Sequence, residues 1–302
     1  MEKKTELHLF FLKLFVAFFC LFVFGWWATM DLEGKVDSYL SAEVAQAFEK
    51  NYEINTSTPF EDFGLEIEAK SALVVREKDN KKKILFKKYL QKKLPIASLT
   101  KLMTGVVAIE NYDLDQTTII SERAVSKNGD SGKLIQGEEK TVKELLEVML
   151  VRSSNDAAWA LTEIMGTEKF ISKMNSKAEE LGLNDTHFVN PSGLENGHGS
   201  NISTTKDLLK LVNYLFENEK RILMIGASPS SLNTNKLIFD YSNIIGSKTG
   251  YTNKAGGCLI MVLEDDRGYH YVNILLGSEN RNSRFREMRK IINLCNNLKL
   301  EN

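Results

Sequence analysis

"GGCLIMVLEDDRGYHYVNILLG", Gly256 to Gly277, holds two apolar runs on either side of a charged turn at Asp265 to Gly268. Apolar runs of about 4–8 residues bounded by turn residues read as buried strands. A lone hairpin is marginal in water, so this one needs partners, and the chain supplies them far upstream. "SALVVRE", Ser71 to Glu77, and "KILFKKY", Lys83 to Tyr89, flank Asp79-Asn80 as a second hairpin. From Leu94 to about Leu223 the pattern is mainly helical, with apolar residues at three and four spacing in "KELLEVMLV" and "STTKDLLKLVNYLF". A last helix carries Phe285, Met288, Ile291, Ile292, Cys295 and Leu298 on one face. Strands at both ends with helices between them predict an α+β domain, in which N- and C-terminal strands pair in one antiparallel sheet beside a mainly helical subdomain. There is no internal repeat.

A formal net charge of -1, from 39 basic and 40 acidic residues, speaks against nucleic acid as a partner, because phosphate binding needs a basic excess on one face. The run Lys81-Lys82-Lys83 reads as a solvated turn. The N-terminus is different. "LHLFFLKLFVAFFCLFVFGWWATM", Leu7 to Met30, contains Lys13 as its only charge. It suffices for the roughly 20 apolar residues that cross a bilayer, with Lys13 snorkelling to the headgroups and Trp26 and Trp27 in an interfacial belt. Lys3, Lys4 and Lys13 precede its uncharged part, Leu14 to Met30, and Asp31, Glu33 and Asp37 follow it. The expectation is a single-pass signal-anchor over residues 1–30 with a cytoplasmic N-terminus and the bulk of the chain outside the cell membrane. A cleaved signal peptide is the competing reading, although the nearest Ala-x-Ala, Ala45-Gln46-Ala47, is far downstream. Val36, Leu40, Val44 and Phe48 suggest a stalk helix, and "NTSTPFEDFG", Asn55 to Gly64, a linker, so residues 31–64 form a stalk and 65–302 the main domain. Cys20 falls in the span, and Cys258 and Cys295 alone make no disulfide framework.

Within the helical region, "IASLTKLMTG", Ile96 to Gly105, places Ser98 three residues before Lys101. On a helix such side chains share a face. Serine becomes a nucleophile when a base takes its proton, and lysine can be that base only as the neutral amine. From about 10.4 its pKa must fall by roughly three units, about 4 kcal/mol, which a second nearby ammonium can supply. The hypothesis therefore demands another cation. Ser-x-x-Lys alone proves little, since Ser203-Thr204-Thr205-Lys206 repeats it where Ser203 reads as a helix N-cap. Two further elements single out Ser98: Ser153-Ser154-Asn155 in "VRSSNDAAWAL", between two helices, and Lys248-Thr249-Gly250 in "IIGSKTGYT", before a strand.

In that order and context the chain resembles the serine-type D-alanyl-D-alanine carboxypeptidases, the low-molecular-mass penicillin-binding proteins of peptidase family S11. "PIASLTKLMTG", "SSNDAAWAL" and "GSKTGYTNKAGGCLIMVLE" resemble the three family motifs, and "FISKMNSKAEELGLNDTHFVNPSGLENGHGSNISTTKDL" the long segment between the second and third. The resemblance covers roughly Ser71 to Ser278. It implies a DD-peptidase/β-lactamase-like fold and a peptidoglycan stem pentapeptide as substrate, with β-lactams as covalent inhibitors. It also implies roles. Ser98 attacks the carbonyl between two D-alanines, Lys101 accepts its proton, and Lys248 is the second cation. Ser153 relays a proton to the leaving amine, and Asn155 holds the substrate amide and the Lys101 amine. The backbone N–H groups of Ser98 and Tyr251 form the oxyanion hole, with Gly250 between Thr249 and Tyr251 in the same substrate-binding segment. Thr249 binds the substrate carboxylate, together with Arg284, for which Arg281 and Arg286 are neighbouring alternatives. No metal or organic cofactor is implied.

His187, in "DTHFVNPSG", is expected to be structural and His198 has no assigned role. Met103, Val106, Val107 and Glu110 read as core packing with a solvated end. Many relatives carry a C-terminal β-rich domain with a membrane helix, so anchoring through the N-terminus is expected here instead. Competing functions are an endopeptidase on cross-linked peptidoglycan, a class A-like β-lactamase and a non-catalytic membrane-anchored scaffold. Against the β-lactamase, no Glu-x-x-Leu-Asn string occurs.

Overall fold

The computed structural model describes residues 64–79, 81–126, 132–195 and 199–300. The expected membrane span, the stalk and linker as far as Phe63, Cys20 and His198 lie outside the described residues. Among the described residues no helix is long and apolar enough to cross a membrane.

In chain order the elements are β1 (Ser71–Lys78), β2 (Lys81–Lys88), β3 (Leu94–Pro95), a 3-10 turn (Ala97–Thr100), α1 (Lys101–Asn111), β4 (Thr117–Ile119), α2 (Glu122–Val125) and β5 (Glu139–Thr141). They continue with α3 (Val142–Val151), α4 (Asn155–Glu163), α5 (Thr167–Glu180), β6 (Ile202–Ser203), α6 (Thr205–Asn218), α7 (Lys220–Gly226), a second 3-10 turn (Lys236–Phe239), β7 (Ile244–Thr252), β8 (Gly256–Glu264), β9 (His270–Ser278) and α8 (Ser283–Leu300).

The main sheet has five strands in the order β2-β1-β9-β8-β7, with every neighbouring pair antiparallel. As expected, the two terminal hairpins join, Leu73 lying opposite Ile274 across β1 and β9. The central strands are buried on both faces, which is why they read as near-continuous apolar runs. One face carries Ala72, Val74, Leu259, Met261, Leu263, Tyr271 and Leu275, packed against Met288, Ile291, Ile292, Cys295 and Leu298 of α8, the predicted stripe. Glu287 ties that helix to the sheet by accepting from the Ala69 N–H and the Ser278 hydroxyl. On the helical side α6 contacts β9 and α7 contacts β7.

Cys258 and Cys295 are free and buried, and burial pushes the Cys258 thiol up to about 11. Met103, Val106 and Val107 are core, and Glu110 meets Lys177 at 3.0 Å, as the packing reading required. Two local expectations fail. Lys81-Lys82-Lys83 is the start of β2 rather than a solvated turn, because Lys82 lies opposite Glu77 and forms an ion pair with it at 3.8 Å. The cap of α6 is Thr204 and not Ser203, because the Thr204 hydroxyl accepts from the Asp207 N–H at 3.0 Å while Ser203 is spent on β6 and Thr186. Two short strand pairs inside the helical region, β3 with β6 and β4 with β5, also escaped periodicity, being only two or three residues long.

The turn joining β8 to β9 is built on one carboxylate. Asp265 accepts from the N–H groups of Tyr269 and Arg267 at 2.9 and 3.0 Å, and from the Tyr271 hydroxyl and Arg267 guanidinium at 3.2 and 3.3 Å. Burial pushes its pKa up, but these donors outweigh burial and hold the carboxyl below the usual range. A depressed carboxylate adds stability above its unfolded value of about 3.9, and that stability is lost as pH falls through the folded value. Asp265→Asn is expected to be less stable at neutral pH and to show a flatter acid-unfolding curve below about pH 4, followed by circular dichroism. An unchanged acid limb would show that Asp265 is not a linked group.

Candidate active site

Ser98 stands on the 3-10 turn that runs into α1, and the turn is held from several sides. Ala97 has a φ of 46°, in the left-handed region that costs a non-glycine residue energy. The Thr100 hydroxyl donates back to the Ala97 carbonyl at 2.8 Å, and the Ile96 N–H donates to the Asn201 carbonyl at 3.1 Å. One turn on, Lys101 is fully buried. Its Nζ lies 2.8 Å from Ser98 Oγ, 2.9 Å from Asn155 Oδ1 and 3.0 Å from the Ser192 carbonyl.

The second motif is an elbow between helices. A capping box of Thr141 and Glu144 starts α3, whose Leu145, Leu146, Met149 and Leu150 are buried. After α3 the chain reverses at Ser153, φ 60°, and Ser154 caps α4 by accepting from the Ala157 N–H at 3.1 Å. The division of labour is sequential: Ser153 is aimed at the site, Ser154 secures the helix, and Asn155 opens it. The third motif lies on β7, at the edge of the main sheet. Lys248, also buried, reaches Ser153 Oγ at 3.0 Å and the Thr249 carbonyl at 3.1 Å. Each lysine therefore holds one of the two serines. Gly250 faces the nucleophile turn closely enough that a Cβ there would lie 3.0 Å from both the Ser98 nitrogen and the Ile96 carbonyl oxygen. Glycine at this position leaves the space beside the Ser98 N–H open.

Ser98, Ser153, Thr249, Gly250, Tyr251 and Arg284 all border one cavity of about 290 Å³. The Arg284 guanidinium is buried and donates to the Gly250 carbonyl. Arg281 borders the same cavity, its guanidinium 5.1 Å from the centre of the Tyr251 ring. Arg286 instead pairs with Glu68 at 3.2 Å on the surface, which removes it from the alternatives. No carboxylate is among the described residues that border the cavity, so its charged groups are cations: Lys236, Arg281 and Arg284.

Sequence reasoning missed a supporting layer. The Ser192 carbonyl that meets Lys101 sits in a turn where Asn190 Oδ1 accepts from the N–H groups of Ser192 and Gly193 at 3.1 and 2.7 Å. Asn201 then joins that turn to the nucleophile helix. Its Oδ1 accepts from the Val189 and Asn190 N–H groups, and its Nδ2 donates to the Asn190 carbonyl at 2.8 Å and to Thr100 Oγ1 at 2.9 Å. The Asn-Pro-Ser-Gly string, rich in turn formers, was the available signal. His187 takes part through backbone pairing with Ile202, as a structural residue does.

The chain is similar to known D-alanyl-D-alanine peptidases. The chain is 39% identical over 215 residues to the D-alanyl-D-alanine carboxypeptidase DacF of Bacillus subtilis, a match covering 64% of this chain and 53% of that one. It thus spans about half the length of that relative. A D-alanyl-D-alanine endopeptidase of Escherichia coli is 33% identical over 213 residues, with coverage of 65% and 67%. The structure of penicillin-binding protein D2 from Listeria monocytogenes in its ampicillin-bound form superposes with a TM-score of 0.65 at 28% identity, covering 76% of this chain and 98% of that one. A family model described as D-alanyl-D-alanine carboxypeptidase matches residues 54–280. That span takes in every motif residue from Ser98 to Tyr251, and the chain belongs to this family, the S11 peptidases.

Proposed function

We propose that the protein is a serine-type D-Ala-D-Ala carboxypeptidase that removes the terminal D-alanine from peptidoglycan stem pentapeptides. The observation that carries the reading is the set of partners around Lys101 Nζ. A neutral amine has two N–H groups and one lone pair. Asn155 Oδ1 and the Ser192 carbonyl can only accept, so they take both N–H groups. Ser98 Oγ lies 2.8 Å from the same nitrogen, so a neutral Lys101 that turns its lone pair to the hydroxyl has the contact a base needs.

Ser98 Oγ then attacks the carbonyl of the penultimate D-alanine as its proton passes to Lys101. The Ser98 and Tyr251 N–H groups stabilise the oxyanion. The C–N bond breaks and the departing D-alanine nitrogen takes a proton from Lys248 through Ser153; water then attacks the Ser98 ester, its proton restoring Lys248 through Ser153 while Lys101 returns its own to Ser98 Oγ. A β-lactam would acylate Ser98 by the same attack. Among the described residues no carboxylate borders the cavity, which favours a long-lived adduct over the turnover of class A β-lactamases, whose deacylating base is a glutamate. An endopeptidase is the second reading, favoured by the relative so named. The apolar stretch Leu7 to Met30 supports a signal-anchor over residues 1–30, a stalk over 31–64 and a catalytic domain over 65–302 held outside the cell membrane.

The full chain, purified in detergent, should release free D-alanine from an N-acylated pentapeptide ending in D-Ala-D-Ala. Cleavage of cross-linked dimers without D-alanine release would favour the endopeptidase. No turnover of either, with Ser98 unmodified by penicillin, would leave the scaffold reading.

A further inference from the structure

Thr249 is the residue that the family resemblance assigns to the substrate carboxylate, yet its hydroxyl is already committed. It donates to Thr234 Oγ1 at 2.6 Å, and Thr249 is only 3% exposed. A hydroxyl has one proton to give. Thr234 receives that proton, is the more exposed of the two and borders the cavity. Among the described residues no oxygen accepts the Thr234 proton in turn, so that donor remains for whatever fills the cavity.

Thr234 is held in place more firmly than a loop residue without a task requires. Its N–H donates to the Val151 carbonyl at 3.2 Å, at the end of α3 and two residues before Ser153. The asparagines on either side are buried. Asn233 Nδ2 donates to the carbonyls of Gly226 and Ser228, both at 3.0 Å. Asn235 Nδ2 donates to Ser247 Oγ at 2.8 Å, one residue before Lys248. The loop is thus pinned to the elbow that carries Ser153 and to the strand that carries Lys248, and Thr234 is fixed between them.

The charge around the cavity says what the free donor meets. Lys236, Arg281 and Arg284 border it and no described carboxylate does, a setting that favours an anion as the group accepting from Thr234. We propose that Thr234 is a specificity-determining residue whose hydroxyl, polarised by the one it accepts from Thr249, donates to the C-terminal carboxylate of the substrate. A hydroxyl that accepts a hydrogen bond is the stronger donor of its own proton. On this account Thr249 acts from behind, and the two threonines work as one unit. The inference rests on the proposed function.

The test is the rate of Ser98 acylation in the full chain by benzylpenicillin and by its methyl ester, which lacks the anion. Thr234→Val is expected to slow acylation by the acid about tenfold, the scale of one hydrogen bond to a charged group, and to leave the ester rate within about twofold. Thr249→Val should also slow acylation by the acid, and the double variant should be little worse than either single one, because the two residues share one relay. Thr234→Ser should recover most of the rate, which separates the hydroxyl from mere packing. Equal losses for acid and ester in Thr234→Val, or no loss where Thr249→Val shows one, would overturn the inference. Failure of the unmodified chain to acylate with either compound would instead overturn the functional reading on which it rests.

Discussion

Replacing Lys101 by Met is expected to slow acylation of Ser98 by a β-lactam about 10²–10⁴-fold, the usual contribution of a positioned general base. At 1.36 kcal/mol for each factor of ten this is roughly 3–5 kcal/mol of transition-state stabilisation. The loss falls on the chemical step, because Lys101 is not among the described residues that border the cavity and its contact is with the Ser98 hydroxyl. Lys101→Arg is the sharper variant. It keeps a cation but stays protonated at any working pH, so it cannot accept a proton. If Lys101 is a base, Arg and Met should be equally slow. If Arg retained activity within about tenfold of the unmodified chain, the lysine would be acting through its charge and the base assignment would fail.

The second large effect is expected far from Ser98 in sequence. Gly193 has a φ of +81°, and a Cβ placed on it would lie 1.9 Å from the Ala97 carbonyl oxygen. Neither side can yield easily. Gly193 donates to Asn190 Oδ1, and the Ala97 carbonyl accepts from Thr100 within the nucleophile turn. Gly193→Ala should cost about 2–4 kcal/mol, from the strain of a positive φ and the forced displacement together. For a domain of this size that is a fall in Tm of roughly 10 °C. Because the clash displaces Ala97, acylation of Ser98 should fall as well, even well below Tm. Gly166→Ala is the control: its φ is +94° with nothing within 4 Å of the added carbon, so only conformational strain is introduced. A folded Gly193→Ala chain that acylates normally would show that the turn does not position the nucleophile.

The strand and helix periods made the sheet legible because side-chain burial repeats locally. Two hairpins at the ends of a domain left little choice but to pair, and they do. The short pairs β3 with β6 and β4 with β5 left no period to read. Lys82 misled for a related reason: three lysines in a row look like solvent-facing chain until a partner such as Glu77 appears across the strand. Ser203 and Thr204 show the limit on caps, since two adjacent hydroxyl residues both fit and only the direction of the Asp207 N–H chooses.

The same division holds in the site. By itself the sequence determined which chemistry was available: a serine one helical turn from a lysine, a second serine before an asparagine, and a second lysine ahead of a strand. These are local patterns, and the demand for another cation follows from the pKa of lysine alone. Only the tertiary structure decided what those groups do to one another, because the bonds that matter join residues 54, 91 and 95 positions apart. It put two neutral acceptors, Asn155 Oδ1 and the Ser192 carbonyl, on the Lys101 nitrogen that meets Ser98, and moved Arg286 out of the site. It also brought Asn201 and Thr234 into it, since a hydrogen-bond partner across the fold leaves no period in the chain.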